Sequence, residues 1–72
     1  MKVYVATYSD YGAGPSLFGV YKTMDKAFED AKAYLLSIFP NGNFSQLTRY
    51  EDSAYLRLYG WTIDIEEQEV KE

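Results

Sequence analysis

MDKAFEDAKAYLLSIF, residues 24–39, is the stretch that decides the fold of this chain. Its apolar side chains recur at intervals of three and four residues, which is the spacing of an amphipathic helix with one buried stripe. The stripe comprises Met24, Ala27, Phe28, Ala31, Tyr34, Leu35, Ile38 and Phe39. Because every other segment has the pattern of a strand or a turn, this single helix is predicted to lie on a sheet.

Local signals mark both ends of the helix. Thr23 belongs to the residue types that favour the N-cap position, where the side-chain oxygen accepts a hydrogen bond from a free backbone N–H. Pro40 disfavours helical geometry in the residue before it, so the helix is predicted to end near Ile38 or Phe39. Lys26 and Asp30 lie four residues apart and are predicted to form an ion pair on the helix surface.

The segments on either side of the helix predict strands. Residues 2–8, KVYVATY, are rich in β-branched and aromatic types and are largely apolar on both faces, which indicates a strand that is central in the sheet or covered on both sides. Residues 9–16 carry glycine and proline turn chemistry. Residues 17–22 then have strand character, so the two strands are predicted to form a hairpin. Residues 44–50 predict a third strand.

The last strand signal, residues 54–65, changes phase at Gly60. The apolar positions are Leu56 and Leu58 before the glycine, and Trp61, Ile63 and Ile65 after it. A strand has a period of two, so a change from even to odd positions requires one extra residue in a continuous strand. We predict a β-bulge at Gly60 within one bent strand, with two short strands as the alternative.

The predicted order is therefore β-β-α-β-β. It corresponds to an α+β fold with a four-stranded, mainly antiparallel sheet and one helix packed on one face. Residues 1–65 are predicted to form a single domain. Residues 66–72 are predicted to be an acidic C-terminal tail that frays.

The net charge of −4 is confined to the last nine residues. Residues 1–63 carry six basic and six acidic side chains, whereas residues 64–72 carry five acidic side chains and one lysine. An acidic end repels nucleic-acid phosphate and favours a basic partner. The alternative interpretation is a solvated end that aids solubility.

The residue types that most often carry catalysis are missing, because the chain has no cysteine and no histidine. Disulfides are excluded, and the usual zinc ligands and the commonest nucleophiles and acid–base groups are absent. Gly12 and Gly14 form a GxG, but Pro15 and a strand follow where a phosphate site needs a helix. We therefore expect a protein that is not an enzyme and that holds no metal or cofactor.

The chain has no apolar run approaching the roughly 20 residues that span a bilayer. Its first ten residues are too polar for a signal peptide. We expect a cytoplasmic protein without a membrane segment.

Tyrosine is the most over-represented residue type, with eight copies. Because one helix covers only one face of a sheet, we expect tyrosines to line the other face. Tyrosine, tryptophan and arginine are enriched at the energetic centres of protein interfaces. The predicted partner-binding residues are Tyr4, Tyr8, Tyr11, Tyr55, Arg57, Tyr59 and Trp61. The alternative is that the tyrosines merely pack a half-open face.

Three short motifs occur in the first half of the chain: KVYV at residues 2–5, GVY at residues 19–21, and a helix start with Thr23, Lys26 and Ala27. With a closing aromatic strand, they resemble a loose, largely uncharacterised class of small phage and bacterial proteins. The second half fits only in outline. The shared motifs are structural and imply no catalytic residue. The resemblance implies a phage-type accessory protein, which would act in the host cytoplasm.

These observations predict a small protein-binding module, such as a phage accessory protein that inhibits or redirects a host or defence protein. One alternative is a self-associating structural protein, with a tyrosine-rich sheet face closing a homodimer. Another is a binder of single-stranded nucleic acid or a small ligand through stacking. Stacking platforms normally lie in a positively charged groove, which this sequence lacks, so nucleic acid is the less favoured partner.

Overall fold

A computed structural model describes residues 1–10 and 14–71. In these residues, one helix packs on a sheet of five strands. The elements are β1 (Lys2–Ser9), β2 (Ser16–Tyr21), α1 (Met24–Ile38), β3 (Gln46–Arg49), β4 (Ser53–Leu58) and β5 (Trp61–Glu69). All strand pairs are antiparallel, and the order across the sheet is β2-β1-β5-β4-β3. The predicted α+β class is confirmed, with five strands in place of four.

The helix α1 begins and ends where the sequence predicts. The Thr23 Oγ1 accepts a hydrogen bond from the Lys26 N–H at 3.2 Å, which satisfies one of the free donors of the first turn. The Phe39 N–H donates to the Leu35 C=O at 3.0 Å, and Pro40 follows outside the helix. The Lys26 Nζ lies 3.2 Å from the Asp30 Oδ1, so the predicted surface ion pair is present.

The predicted bulge at Gly60 is wrong, because β4 and β5 are two strands joined by a tight turn. Leu58 pairs directly with Trp61, so only Tyr59 and Gly60 form the turn. Tyr59 has a φ of 56°, which is the left-handed geometry that two-residue hairpin turns require. Reversal of the chain across this turn places even positions of β4 opposite odd positions of β5, which explains the change of parity.

The acidic end of the chain is a strand up to Glu69, so the predicted frayed tail is wrong for residues 66–69. β5 pairs with β1 along its length, from Ser9 opposite Thr62 to Lys2 opposite Glu69. The Lys2 Nζ also lies 3.3 Å from the Glu67 Oε1. Backbone pairing with β1 orders this segment although its side chains are charged.

The first two strands form the predicted hairpin, and β1 lies inside the sheet between β2 and β5. The pairing of β1 with β2 shifts between Ala6 and Thr7, because β2 has one extra residue there, Phe18. This bulge lies in an edge strand, where bulges are common. The GxG of the hairpin loop includes Gly12, which lies outside the described residues.

The core lies between α1 and one face of the sheet. The helix contributes Met24, Ala27, Ala31 and Leu35, and the sheet contributes Ala6, Ala54, Leu56, Leu58, Ile63 and Ile65. Alanine at the centre of the contact lets the helix approach the sheet closely. Among residues 1–10 and 14–71, no helix is long and apolar enough to cross a membrane.

Candidate protein-binding surface

The sheet has one face covered by α1 and one face that no described element covers. We call the second face the open face. Side chains alternate between the two faces along each strand. In β1, Ala6 is fully buried beneath the helix, so Val3, Val5 and Thr7 belong to the open face.

Cross-strand pairing arranges most of the open face in three rows that run from β2 or β1 towards β3. The first row is Val20, Val5, Glu66 and Ser53. The second row is Leu17, Thr7, Asp64, Tyr55 and Thr48. The third row is Ser9, Thr62, Arg57 and Gln46.

The half of the open face formed by β1 and β2 is mainly aliphatic, with Thr7 and Ser9 as polar members. We call its aliphatic residues, Val3, Val5, Leu17 and Val20, the apolar zone. Leu17 is 65% exposed and Val20 is 55% exposed. Val20 pairs with Val5, so the exposed side chains adjoin the half-buried valines of β1. Contiguous exposed apolar side chains are a mark of interaction sites.

Two carboxylates lie directly beside the apolar zone, on the central strand β5. Glu66 pairs with Val5, and Asp64 pairs with Thr7. We call Asp64 and Glu66 the acidic zone. Arg57, on the open face of β4, is the basic residue nearest to them in the register. The open face therefore combines an apolar half with a carboxylate border.

Asp64 is half-buried although it lies on the open face. Burial raises the pKa of its carboxyl group above the ordinary value of 3.8, the nearby Glu66 carboxylate raises the pKa further, and Arg57 opposes both effects. The ionised form of Asp64 is therefore less stable in the folded protein than in the unfolded chain. Among the described residues, the attraction of Arg57 opposes the effects of burial and of Glu66 without cancelling them.

Asp64→Asn is expected to raise the urea midpoint of unfolding at neutral pH. When folding raises the pKa of a carboxyl group, the folded protein becomes less stable as the pH rises from the group's unfolded pKa through its folded pKa. The gain from Asn should therefore be present above that window and absent below it. Urea titrations of both proteins across this range test the expectation. A lower midpoint for Asp64→Asn at neutral pH would show that the carboxylate stabilises the fold.

The predicted partner-binding residues do not form one surface. Tyr55 and Arg57 lie on the open face. Tyr4, Tyr8 and Trp61 lie on the helix side and pack against the core. The other two are Tyr59, in the β4–β5 turn, and Tyr11, which lies outside the described residues. The expectation that tyrosines line the open face is wrong, because the strand register places Tyr4, Tyr8 and Tyr21 on the helix side and, among the described strand residues, leaves only Tyr55 on the open face.

An aromatic cluster forms on the helix side instead. The Tyr8 ring stacks on Trp61, with ring centroids 6.2 Å apart and planes 11° apart. Phe18 and Tyr34 complete the cluster, with their centroids 5.1 Å apart. All four side chains are half-buried. Offset and edge-on ring pairs add stability beyond the area they bury, so packing accounts for these residues.

Tyr59 is the most exposed of the predicted aromatic binding residues for which a position is described, at 58%. Its ring contacts Phe39 edge-on, with a centroid separation of 4.8 Å. The contact ties the β4–β5 turn to the end of α1. Tyr59 and Tyr55 therefore belong to separate surfaces, although they are only four residues apart.

A shallow groove of about 370 Å³ runs along the outer side of α1 towards β3. Its lining residues are Phe28, Glu29, Lys32, Ala33, Leu36 and Arg49. The Arg49 guanidinium forms an ion pair with Asp25 and lies 5.4 Å from the centroid of the Phe28 ring. The charges of this groove are mixed. In the part of the chain that the structure describes, no group of acidic side chains has the arrangement of a metal site.

The predicted partner-binding residues do not include the aliphatic residues of the open face. Val3 and Val5 alternate with Tyr4 and Ala6, so the sequence showed two apolar faces in this strand. A small residue such as Ala6 between two tyrosines is the signal of a helix packed closely above. That signal would have assigned the valines to the uncovered side.

The chain matches no protein-family model, no curated protein and no solved structure.

Proposed function

We propose that this chain is a small, non-enzymatic protein-binding module that binds its partner through the open face. The observation that carries the proposal is the apolar zone, a set of four aliphatic side chains on two neighbouring strands that no described element covers and in which Leu17 and Val20 are exposed. Burial of apolar area is the main favourable term in protein association. A partner that covers this patch supplies that term.

The two halves of the open face differ, which argues against an ordinary solvated surface. Antiparallel sheets commonly alternate apolar residues inward with polar residues outward. The β3 and β4 half mainly follows this rule, with Gln46, Thr48 and Arg57 facing outward beside one aromatic residue, Tyr55. The β1 and β2 half departs from it, with Val5, Leu17 or Val20 at the outward positions. A departure confined to one half supports a local binding role.

Charge favours a different protein over a second copy of this chain. The open face carries Asp64 and Glu66 against Arg57 among the described residues. In a symmetric dimer the same patch contributes twice, so two surfaces of the same net charge would meet. The same negative charge disfavours nucleic acid, whose affinity depends on neutralising phosphates.

Leu17→Ser is expected to abolish or sharply weaken partner capture without loss of the fold. The side chain is exposed, and surface substitutions usually change stability by no more than about 0.5 kcal/mol. The experiment is affinity capture from a bacterial lysate by tagged protein, with light scattering on the same preparation. Leu47→Ser is the matched control, because Leu47 is also an exposed leucine on an edge strand but pairs with the buried Leu56 on the helix side.

Three results would count against the proposal. Equal capture by wild type and Leu17→Ser would remove the open face from the interface. Equal losses in Leu17→Ser and Leu47→Ser would indicate a general effect on folding or solubility. A molecular mass of twice the chain with no captured protein would favour the self-associating alternative.

A further inference from the structure

We infer that the occupant of the open face is a cationic amphipathic helix, packed along β1 and β2 with its basic flank over Asp64 and Glu66. This inference rests on the proposed function and adds the shape and the charge of the partner. Three features of the open face carry it: which part of the sheet is free, the width of the apolar zone, and the position of the carboxylates.

The apolar zone belongs to a sheet face, and the free edge beside it, β2, is interrupted by the bulge at Phe18, which favours a helix over an extended peptide. Extended peptides bind by adding a strand to a sheet edge, where backbone groups are unpaired. A face offers only side chains, and helices cover sheet faces through an apolar stripe. α1 already covers the other face of this sheet in that way, through Ala27, Ala31 and Leu35. A second helix on the open face would complete a three-layer arrangement.

The apolar zone and the acidic zone together have the width of one helix. Neighbouring strands lie about 4.8 Å apart, so β2, β1 and β5 together span roughly 10 Å. A helix with its side chains is about 10–12 Å in diameter. A helix centred over β1 therefore contacts Val20 on one side, Val5 below and the edge of β5 on the other. Its width leaves the polar half of the face, on β3 and β4, uncovered.

The carboxylates border this footprint on one side only. Asp64 and Glu66 are two residues apart on β5, which places their Cα atoms about 6.8 Å apart. Residues four apart on a helix rise by about 6 Å. Lysine or arginine at two such positions on one flank of the partner can therefore meet both carboxylates. On the β2 side the footprint borders Leu17 and Val20, so the opposite flank of the partner is apolar.

The half-buried state of Asp64 supports a basic flank. Its ionised form is disfavoured in the free protein, because burial and Glu66 raise its pKa and Arg57 compensates only in part. A cation delivered by the partner would favour the ionised form. Asp64→Asn should therefore stabilise the free protein and weaken the complex. A residue with a purely structural role would not produce this opposition between stability and binding.

The test uses a defined probe, a fluorescein-labelled amphipathic peptide of leucine and lysine of about 18 residues, which forms a helix roughly 27 Å long. The comparison peptide keeps every leucine and replaces every lysine by glutamate. Fluorescence anisotropy of the full chain with each peptide measures affinity. We expect binding of the lysine peptide and none of the glutamate peptide. Affinity should fall as salt rises from about 0.1 M to about 1 M, where the screening length shrinks from about 10 Å to about 3 Å.

Two matched pairs of variants locate the contact. Glu66→Gln should weaken binding roughly two- to fivefold, as expected for an exposed charge pair, and Glu29→Gln should leave it unchanged. Both residues are exposed glutamates, but Glu29 lies on α1. Leu17→Ser should weaken binding about tenfold or more, as for an interface contact worth more than 1 kcal/mol. Leu47→Ser should leave binding unchanged.

Equal binding of both peptides would overturn the charge assignment. If Glu66→Gln and Glu29→Gln lose equal affinity for the lysine peptide, the attraction depends on the net charge of the protein and not on the position of Glu66. That result would overturn the proposed site. The inference also fails if the lysine peptide does not bind while lysate capture still depends on Leu17, a result that leaves the proposed function standing. If neither peptide binding nor lysate capture is weakened by Leu17→Ser, the proposed function is contradicted as well.

Discussion

Leu35→Ala is expected to lower the free energy of unfolding by about 2–5 kcal/mol, the cost of removing a large aliphatic side chain from a packed core. Leu35 is fully buried at the centre of the contact between α1 and the sheet. A chain of 72 residues has roughly 4–11 kcal/mol of stability at about 0.05–0.15 kcal/mol per residue, so this loss is a large fraction of the total. Urea denaturation monitored by Trp61 fluorescence measures it.

Leu36→Ala provides the matched control for this experiment. The adjacent residue undergoes the same change in helix propensity, but Leu36 is only half-buried and lines the outer groove. Leu36→Ala should lower the free energy of unfolding by clearly less than Leu35→Ala does. Equal losses would show that the change acts through helix propensity or that the two sides of α1 are equally buried, and either result would contradict the described packing.

Ile63→Asp is expected to leave the protein unfolded at neutral pH. Ile63 is fully buried in the central strand β5, beneath the helix. The substitution removes an apolar side chain and buries a carboxylate, whose desolvation costs several kcal/mol when no partner is present. The lost apolar burial and the desolvation of the carboxylate together cost as much as, or more than, the whole free energy of unfolding of a domain of this size. Far-ultraviolet circular dichroism and one-dimensional proton NMR would show the loss of structure.

Thr62→Asp tests the register of the same strand. Thr62 is one position away and lies half-buried on the open face, where a carboxylate keeps part of its water, as that of Asp64 does. This variant should fold. The two-strand arrangement with Leu58 opposite Trp61 requires odd positions of β5 to be buried and even positions to be open. An unfolded Thr62→Asp beside a folded Ile63→Asp would indicate the opposite register.

The local sequence was sufficient to predict the helix and its limits. The three- and four-residue spacing of apolar side chains fixed the buried stripe of α1, and Thr23 and Pro40 marked its ends. The first hairpin and the interior position of β1 were also predictable, because glycine and proline mark turns and a strand that is apolar on both faces belongs inside a sheet. These features depend on neighbours within a few residues.

The tight turn at Tyr59 and Gly60 could not be predicted from the local sequence. Only glycine, asparagine and aspartate commonly take left-handed geometry, so tyrosine at that position gave no turn signal. The Phe39 ring packs against Tyr59 and helps to hold the turn. The ordered end of β5 could not be predicted from the local sequence either, because its charged residues are held by backbone pairing with β1, at the other end of the chain.

The sequence by itself therefore determined the α+β class, the helix and the absence of cysteine and histidine chemistry. Only the tertiary structure decided which side chains meet on the open face. Each strand fixes two alternating sets of side chains, but the choice between the inward and the outward set depends on where α1 lies. Once the helix covers Ala6, Leu56 and Ile63, the tyrosines of β1 turn inward. Val5, Leu17 and Asp64 then come together on the open side, although they lie far apart in the chain.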